Sequence, residues 1–252
     1  MEVHHHSQGS HKNWKHYLWE FLMLFLAVFC GFLAEYQLEH TIEHQREKKY
    51  AVSMIDDLVK DTIDLTSDIK WWRSQITRAD TILQELDKPQ KARNAVVLYR
   101  CLSLMRRYNG FEYHDRTIDQ LKNAGFFRLF RKKDVADSLM EYDALVRRTL
   151  LRIEEGSDQI YYNLNFFQNR IVDSRYYPTI INSNGFNLDS LFIVRPGAFY
   201  IKEKEKGDAF EYANHLQYYK GNMAQRVRIM ENLLHFARAM INLARREYHL
   251  KT

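Results

Sequence analysis

The sequence predicts an all-α protein: one N-terminal transmembrane helix, then a long antiparallel helical bundle with coiled-coil-like seams and one irregular excursion. Three observations predict it. Only 9 Gly and 3 Pro interrupt 252 residues, and so few breakers favour long helices over a many-stranded sheet. Residues 21–34 read FLMLFLAVFCGFLA without a charge. Beyond residue 50, apolar residues recur at alternating spacings of three and four, the period of a bundle seam. Hydrophobic residues at 46% and charged residues at 27% supply a core and exclude wholesale disorder.

Residues 1–16 form a His-rich tail with His4, His5, His6, His11 and His16. Such a tail could hold a metal loosely or belong to no folded element. Residues 17–36 are the transmembrane helix, because about 20 residues at 1.5 Å each span a ~30 Å hydrocarbon core. Trp14, Tyr17 and Trp19 at one end and Tyr36 at the other suit the two interfaces. A cleaved signal would want a shorter apolar core and an A-x-A-like exit. Here the helix pattern continues through Leu33-Ala34-Glu35-Tyr36. Glu20 lies one turn inside the segment, where a carboxylate either snorkels to the headgroups or meets a partner helix. Ala27, Gly31 and Ala34 fall on one face and permit close helix approach. These four residues are the candidate intramembrane partner contacts. Residues 37–50 are polar all round, a helical stalk.

Residues 51–252 make the bundle. Its first seam is Ile55, Leu58, Thr62, Leu65, Ile69, Trp72, Ile76, Ala79, Leu83 and Leu86, stopped by Asp87-Lys88-Pro89. A second helix runs from about Asn94 to Tyr108 and ends at Asn109-Gly110. A short one runs from Asp115, an N-cap type, to Asn123. Phe126, Phe127, Leu129 and Phe130 then plug the bundle end. A third long helix starts near Asp134, with a seam from Val135, Leu139, Tyr142, Val146 and Thr149 to Ile160, Asn163 and Phe167. Residues 174–207 are the irregular excursion, with a hairpin-favouring Leu191-Phe-Ile-Val194. The last helix runs from about Asp208 to Tyr248 along Met223, Val227, Met230, Leu234, Ala237, Ile241 and Ala244. Thr62, Thr149 and Asn163 either fix register from within the seams or sit at their edges near water.

The chemistry-bearing patterns are few. Lys plus Arg number 37 against 32 Asp plus Glu, a net +5. The basic pairs are scattered among acidic residues, which reads as solvated helix faces and argues against nucleic acid. Cys30 lies in the apolar run and Cys101 beyond it, so no disulfide framework is expected. There is no G-x-x-x-x-G-K-[ST], G-x-G-x-x-G or G-x-S-x-G. His40-Thr-Ile-Glu43-His44 fits H-x-x-E-H, which puts two histidines on one helical face with a glutamate base, the inverted zinc-peptidase pattern. On a polar stalk with no third ligand it remains a remote alternative. One ring of each pair Tyr161-Tyr162, Tyr176-Tyr177 and Tyr218-Tyr219 must face away from the core.

The run Thr117-Ile-Asp-Gln-Leu-Lys-Asn-Ala-Gly-Phe-Phe-Arg-Leu-Phe-Arg-Lys-Lys-Asp134, followed by Tyr142, resembles a motif of a family of single-pass, helix-rich membrane proteins of Gram-negative bacteria. That family is classed as a domain of unknown function. Glu20, Gly31 and the Glu/Lys-rich stretch from Glu43 to Lys49 are similar to features of the same family. The resemblance implies a cytoplasmic N-terminus and a periplasmic bundle on the inner membrane. The His-rich N-terminus departs from the family's more basic one. Lys12 and Lys15 before the membrane segment, against Arg46, Lys48 and Lys49 after it, do not decide orientation. The expectation is a non-enzymatic, cofactor-free structural or interaction subunit. Its partners would be the lipid bilayer and either its own copies or other membrane subunits. A sensory or ligand-binding module signalling through a partner is the alternative.

Overall fold

The computed structural model describes residues 14–105, 107, 109–173 and 207–250. Among the described residues there are five α-helices: α1 (Trp14–Asp87), α2 (Ala95–Met105), α3 (Arg116–Asn123), α4 (Lys133–Ile171) and α5 (Asp208–Glu247). Short 3-10 turns occupy Gln90–Ala92 and Phe126–Leu129. Among the described residues there is no strand. The all-α fold is therefore as expected. The hairpin expected within 174–207, Tyr176-Tyr177 and the His4–His11 tail lie outside the described residues.

The chain divides into two units, residues 1–51 and 52–252. The first unit holds the N-terminal part of α1, the one described helix long and apolar enough to cross a membrane. Its apolar window has no buried residue. Phe21, Phe25 and Phe29 stack ring on ring at 6.3 and 5.9 Å, the spacing of residues four apart on one face.

The second unit is the bundle. Contacts between α4 and α5 run Arg170 to Asp208, Phe167 to His215, Tyr161 to Tyr219, Tyr142 to Phe236 and Lys132 to Glu247. One number falls as the other rises, so the two helices are antiparallel. Asp80 meets Lys220 and Arg73 meets Glu231, so α1 also runs against α5. The seam of α5 matches its expected residues closely: Met223, Met230, Ala237 and Ala244 are each 1% exposed or less.

The seam of α1 matches in part. Ile55, Leu58, Leu65, Ile69, Trp72, Ala79 and Leu86 are buried as expected. At the other three positions the residue one earlier takes the core place. Met54, Asp61, Asp68, Gln75 and Ile82 are each 2% exposed or less, whereas Thr62, Ile76 and Leu83 are only half-buried. The true core column of α1 thus contains two carboxylates and an amide. A similar slip occurs late in α4, where Leu164 and Gln168 are buried at 1% and Asn163 and Phe167 are half-buried. Thr62 and Asn163 bond within their own helices, to the Val59 carbonyl and the Gln159 amide.

Candidate functional site

The buried polar column exists because of the chain segment laid against it. Residues 94–117 return along α1, and much of that return is not helical. Backbone groups without a helical partner must find one elsewhere when buried. The column supplies partners in order. The Asn94 N–H donates to Glu85 Oε2 at 2.8 Å. Gln75 Nε2 donates to the Leu104 carbonyl at 3.3 Å. Asn109 Nδ2 donates to Asp68 Oδ1 at 2.8 Å. The His114 N–H donates to Asp61 Oδ1 at 2.9 Å, and Asp57 accepts from both the N–H and the hydroxyl of Thr117. The descending order on α1 against the ascending order on the return makes a polar zipper about eight helical turns long.

This zipper corrects one expected cap. Asp115 stands at the N-cap of α3 but makes no side-chain cap hydrogen bond. Its carboxylate accepts from Arg147 at 2.9 Å instead. The second N–H of α3, on Thr117, is capped from α1 by Asp57. Asn94 does cap α2, accepting the Val97 N–H at 3.2 Å. The far end of α2 is closed by glutamines. Gln75 and Gln168 donate to the Leu104 and Leu102 carbonyls of the last turn, whose acceptors lack i+4 partners within the helix.

Around His114 the zipper thickens into a cluster. Asp61 also accepts from Tyr142 Oη at 2.9 Å and lies 3.0 Å from His114 Nδ1. Tyr113 Oη donates to Asp143 at 3.0 Å. Asp143 further accepts from Arg147 and Lys122, and Arg147 reaches on to Asp119. The two carboxylates differ. Burial pushes Asp61 above the usual carboxylate range despite its hydrogen bonds to His114 and Tyr142. Burial also raises Asp143, but Lys122, Arg147 and Tyr113 together outweigh it and hold the group below that range. Burial and the neighbouring carboxylates push both tyrosines up, so they remain phenols that donate. The arrangement fixes a loop; each acceptor is engaged by a donor of this chain.

A separate cleft opens between α4 and α5. It has a volume of about 140 Å³ and is lined by Trp72, Arg152, Ile153, Ile160, Met223 and Arg226, among others. Arg226 is 6% exposed, and its guanidinium carbon lies 4.2 Å from the centre of the Trp72 ring. Burial pushes nearby Asp68 upward, against the pull of Asn109 and Arg226.

The residues expected from sequence belong to neither place and are described on their own helix. Glu20 meets His16 Nε2 at 3.2 Å, one turn back on its own helix, and both side chains are half exposed. Ala27, Gly31 and Ala34 are exposed, and a Cβ at Gly31 would meet nothing within 4 Å. His40 Nε2 bonds Tyr36 Oη at 2.8 Å and its Nδ1 lies 4.0 Å from Glu43. His44 turns to Glu47 at 3.9 Å. The two histidines of H-x-x-E-H thus face separate partners. Among the described residues no group of three or more His, Cys, Asp or Glu is placed to hold a metal ion. The paired tyrosines divide as geometry requires: Tyr162 and Tyr218 are exposed at 68% and 64%, while Tyr219 is 7% exposed and Tyr161 packs on it.

No family model, curated protein or solved structure matches this chain. The site therefore has to be read from its own residues. Sequence reasoning missed His114, Tyr113 and Arg226 altogether. Asp57, Asp61, Asp64 and Asp68 recur at spacings of four, three and four, an acidic stripe visible in the sequence beside the stronger apolar one.

Proposed function

We propose that this chain is a membrane-anchored helical-bundle protein, non-enzymatic, that serves as a structural or interaction subunit of a membrane complex. The observation that carries the reading is the wholly uncovered apolar window of α1. Apolar surface on this scale needs lipid or protein around it. On its face lie Glu20 and the small residues Ala27, Gly31 and Ala34, which suit a close helix partner with a polar contact. The polar clusters of the bundle support a structural use, because their donors and acceptors hold one stretch of this chain against another. The resemblance to the Gram-negative single-pass family favours the inner membrane with the bundle in the periplasm.

The test is assembly in mild detergents. A stable complex larger than a monomer plus its micelle is expected, whether of copies or with a companion subunit. Glu20→Leu and Gly31→Leu should weaken it while leaving helical circular dichroism unchanged. A monomeric mass in several mild detergents, with no stable companion, would overturn the reading. Orientation is tested by a thiol at Lys88→Cys in a background of Cys30→Ala and Cys101→Ala. Labelling before the inner membrane is permeabilised supports a periplasmic bundle, and labelling only afterwards places it in the cytoplasm.

A further inference from the structure

We propose that the end of the bundle where α1 enters it docks on an anionic phospholipid bilayer, with Arg128, Lys133 and Arg246 against the headgroup phosphates. The proposal rests on residues 17–36 spanning a membrane, and its test separates the two failures.

Contacts within the bundle define that end. α1 and α4 both run against α5, so they are parallel to each other. Asp61 accepts from Tyr142, and Val52 and Lys133 each precede that contact by nine residues. The bundle stretches of α1 and α4 therefore start level. Lys132 Nζ meets Glu247 Oε2 at 3.1 Å, which brings the last turn of α5 to the same place. The turn Phe126–Leu129 leads directly into the start of α4, with the Phe127 and Phe130 rings stacked at 5.8 Å.

The charge there is one-sided. Residues 126–134 and 245–248 hold six cations, Arg128, Arg131, Lys132, Lys133, Arg245 and Arg246, against two carboxylates, Asp134 and Glu247. Glu247 is shared between Lys132 and Arg246. Asp56 and Asp137, the next exposed carboxylates on α1 and α4, lie about one turn further in. Arg131 and Lys132 are engaged within the chain. Arg128 and Lys133 are exposed, and among the described residues neither forms an ion pair; Arg246 is 73% exposed. Phe127, half-buried beside Arg128, adds a ring of the kind that settles at a lipid interface.

Charge complementarity calls for an anionic surface, and the chain's own anchor favours lipid over a diffusing polyanion. Sixteen residues separate Tyr36 from Val52. Even fully extended, such a tether reaches no more than about 58 Å. Headgroups thus stay at high effective concentration around the bundle. Each basic residue at an anionic bilayer strengthens binding about fivefold, and the effect fades within a Debye length.

The test uses the full chain in nanodiscs of phosphatidylcholine alone or mixed with phosphatidylglycerol. An environment-sensitive dye sits at exposed Ala124→Cys, in a background of Cys30→Ala and Cys101→Ala. A lipid spin-labelled on its headgroup is the quencher. Quenching is expected to be at least about twofold stronger in the anionic discs and to vanish at about 1 M salt, where screening acts within about 3 Å. The triple variant Arg128→Gln, Lys133→Gln, Arg246→Gln should lose the difference with helical circular dichroism unchanged. Arg148→Gln, Arg152→Gln, Arg228→Gln removes equal charge from exposed positions further along α4 and α5 and should keep it. Equal quenching in both discs, a difference that survives the first triple variant, or its equal loss in both triples would overturn the docking while leaving the anchor intact. Failure of the chain to enter either disc would overturn the membrane span, and the docking with it.

Discussion

Two stretches of one helix relate to their surroundings in opposite ways. From Phe21 to Ala34 the apolar side chains of α1 stand outside: Phe21 is 66% exposed, Leu24 69% and Phe32 66%. From Met54 to Leu86 polar side chains of the same helix stand inside: Asp61 and Asp68 are 1% exposed and Gln75 2%. The backbone conformation is the same in both, so helix propensity explains neither. The difference is in what each stretch faces. The first has no protein cover, and lipid is the medium that suits it. The second faces a return segment whose backbone donors lack helical partners, and a carboxylate facing such a donor is less costly than a leucine that leaves it unbonded.

The largest way to break this contrast is to make the first stretch resemble the second. Leu26→Asp with Phe29→Asp puts two charges at mid-segment, costing about 5–7 kcal/mol of insertion free energy in total. The expected outcome is loss of the chain from carbonate-washed membranes. Retention would show that residues 17–36 do not span.

The next largest makes the second stretch resemble an ordinary core. Asp61→Ala strips acceptors from the His114 N–H and the Tyr142 hydroxyl at a site 1% exposed. The expected loss is about 3–5 kcal/mol, read as a lower urea midpoint for the bundle. Asp64→Ala is the control: its side chain is 40% exposed and only approaches His114 at 3.8 Å. It should cost less than about 1 kcal/mol.

A smaller effect separates the two glutamines. Gln168 donates to the Leu102 carbonyl at 3.0 Å and accepts from Tyr212 Oη at 3.2 Å. Gln75 donates to Leu104, but its own oxygen accepts no hydrogen bond. Gln168→Leu should therefore cost about 2–3 kcal/mol and Gln75→Leu about 1 kcal/mol or less, measured in the same urea titration.

These residues also mark how far the sequence could be read. The helices were legible because Gly and Pro are scarce and the apolar spacing is long and regular, and the seam of α5 was right almost residue for residue. The seam of α1 was legible at Ile55, Leu58, Leu65, Ile69, Trp72, Ala79 and Leu86 and off by one at Thr62, Ile76 and Leu83. Buried Asp61, Asp68 and Gln75 are too polar for a hydropathy pattern to pick out. The burial of those polar residues depends on a segment 29 to 53 positions away, and no local window contains it. The Asp57 cap on α3 was hidden for the same reason, and Asp115 occupies the expected position without making the bond. Arg226 reads as one of many basic residues on a long helix; only the Trp72 ring opposite distinguishes it.

The smallest effect is the most discriminating, because it compares two buried carboxylates under one change. Asp61→Asn keeps an oxygen for the His114 N–H and offers an amide that the Tyr142 oxygen can accept, while removing a charge that burial disfavours. Asp143→Asn loses a charge that Lys122, Arg147 and Tyr113 favour. The folded pKa of Asp61 is raised, so its contribution is fully present below the unfolded value of about 3.9 and is lost as pH rises through the folded value. Replacing it should leave the bundle as stable as before or up to about 1 kcal/mol more stable at pH 7, with the gain vanishing as pH falls toward the carboxylate range. The folded pKa of Asp143 is lowered, so its contribution is present above about 3.9 and lost as pH falls through the folded value. Asp143→Asn should cost about 1–2 kcal/mol at pH 7, held to that range because Lys122 and Arg147 are 39% and 42% exposed. Its deficit should shrink in acid. Urea titrations of both variants between about pH 4 and pH 7 thus predict opposite signs converging at low pH. Parallel losses at every pH would mean that Asp61 is held by its partners as Asp143 is, and that the polar column stabilises α1 through charge rather than through the hydrogen bonds it offers the returning chain.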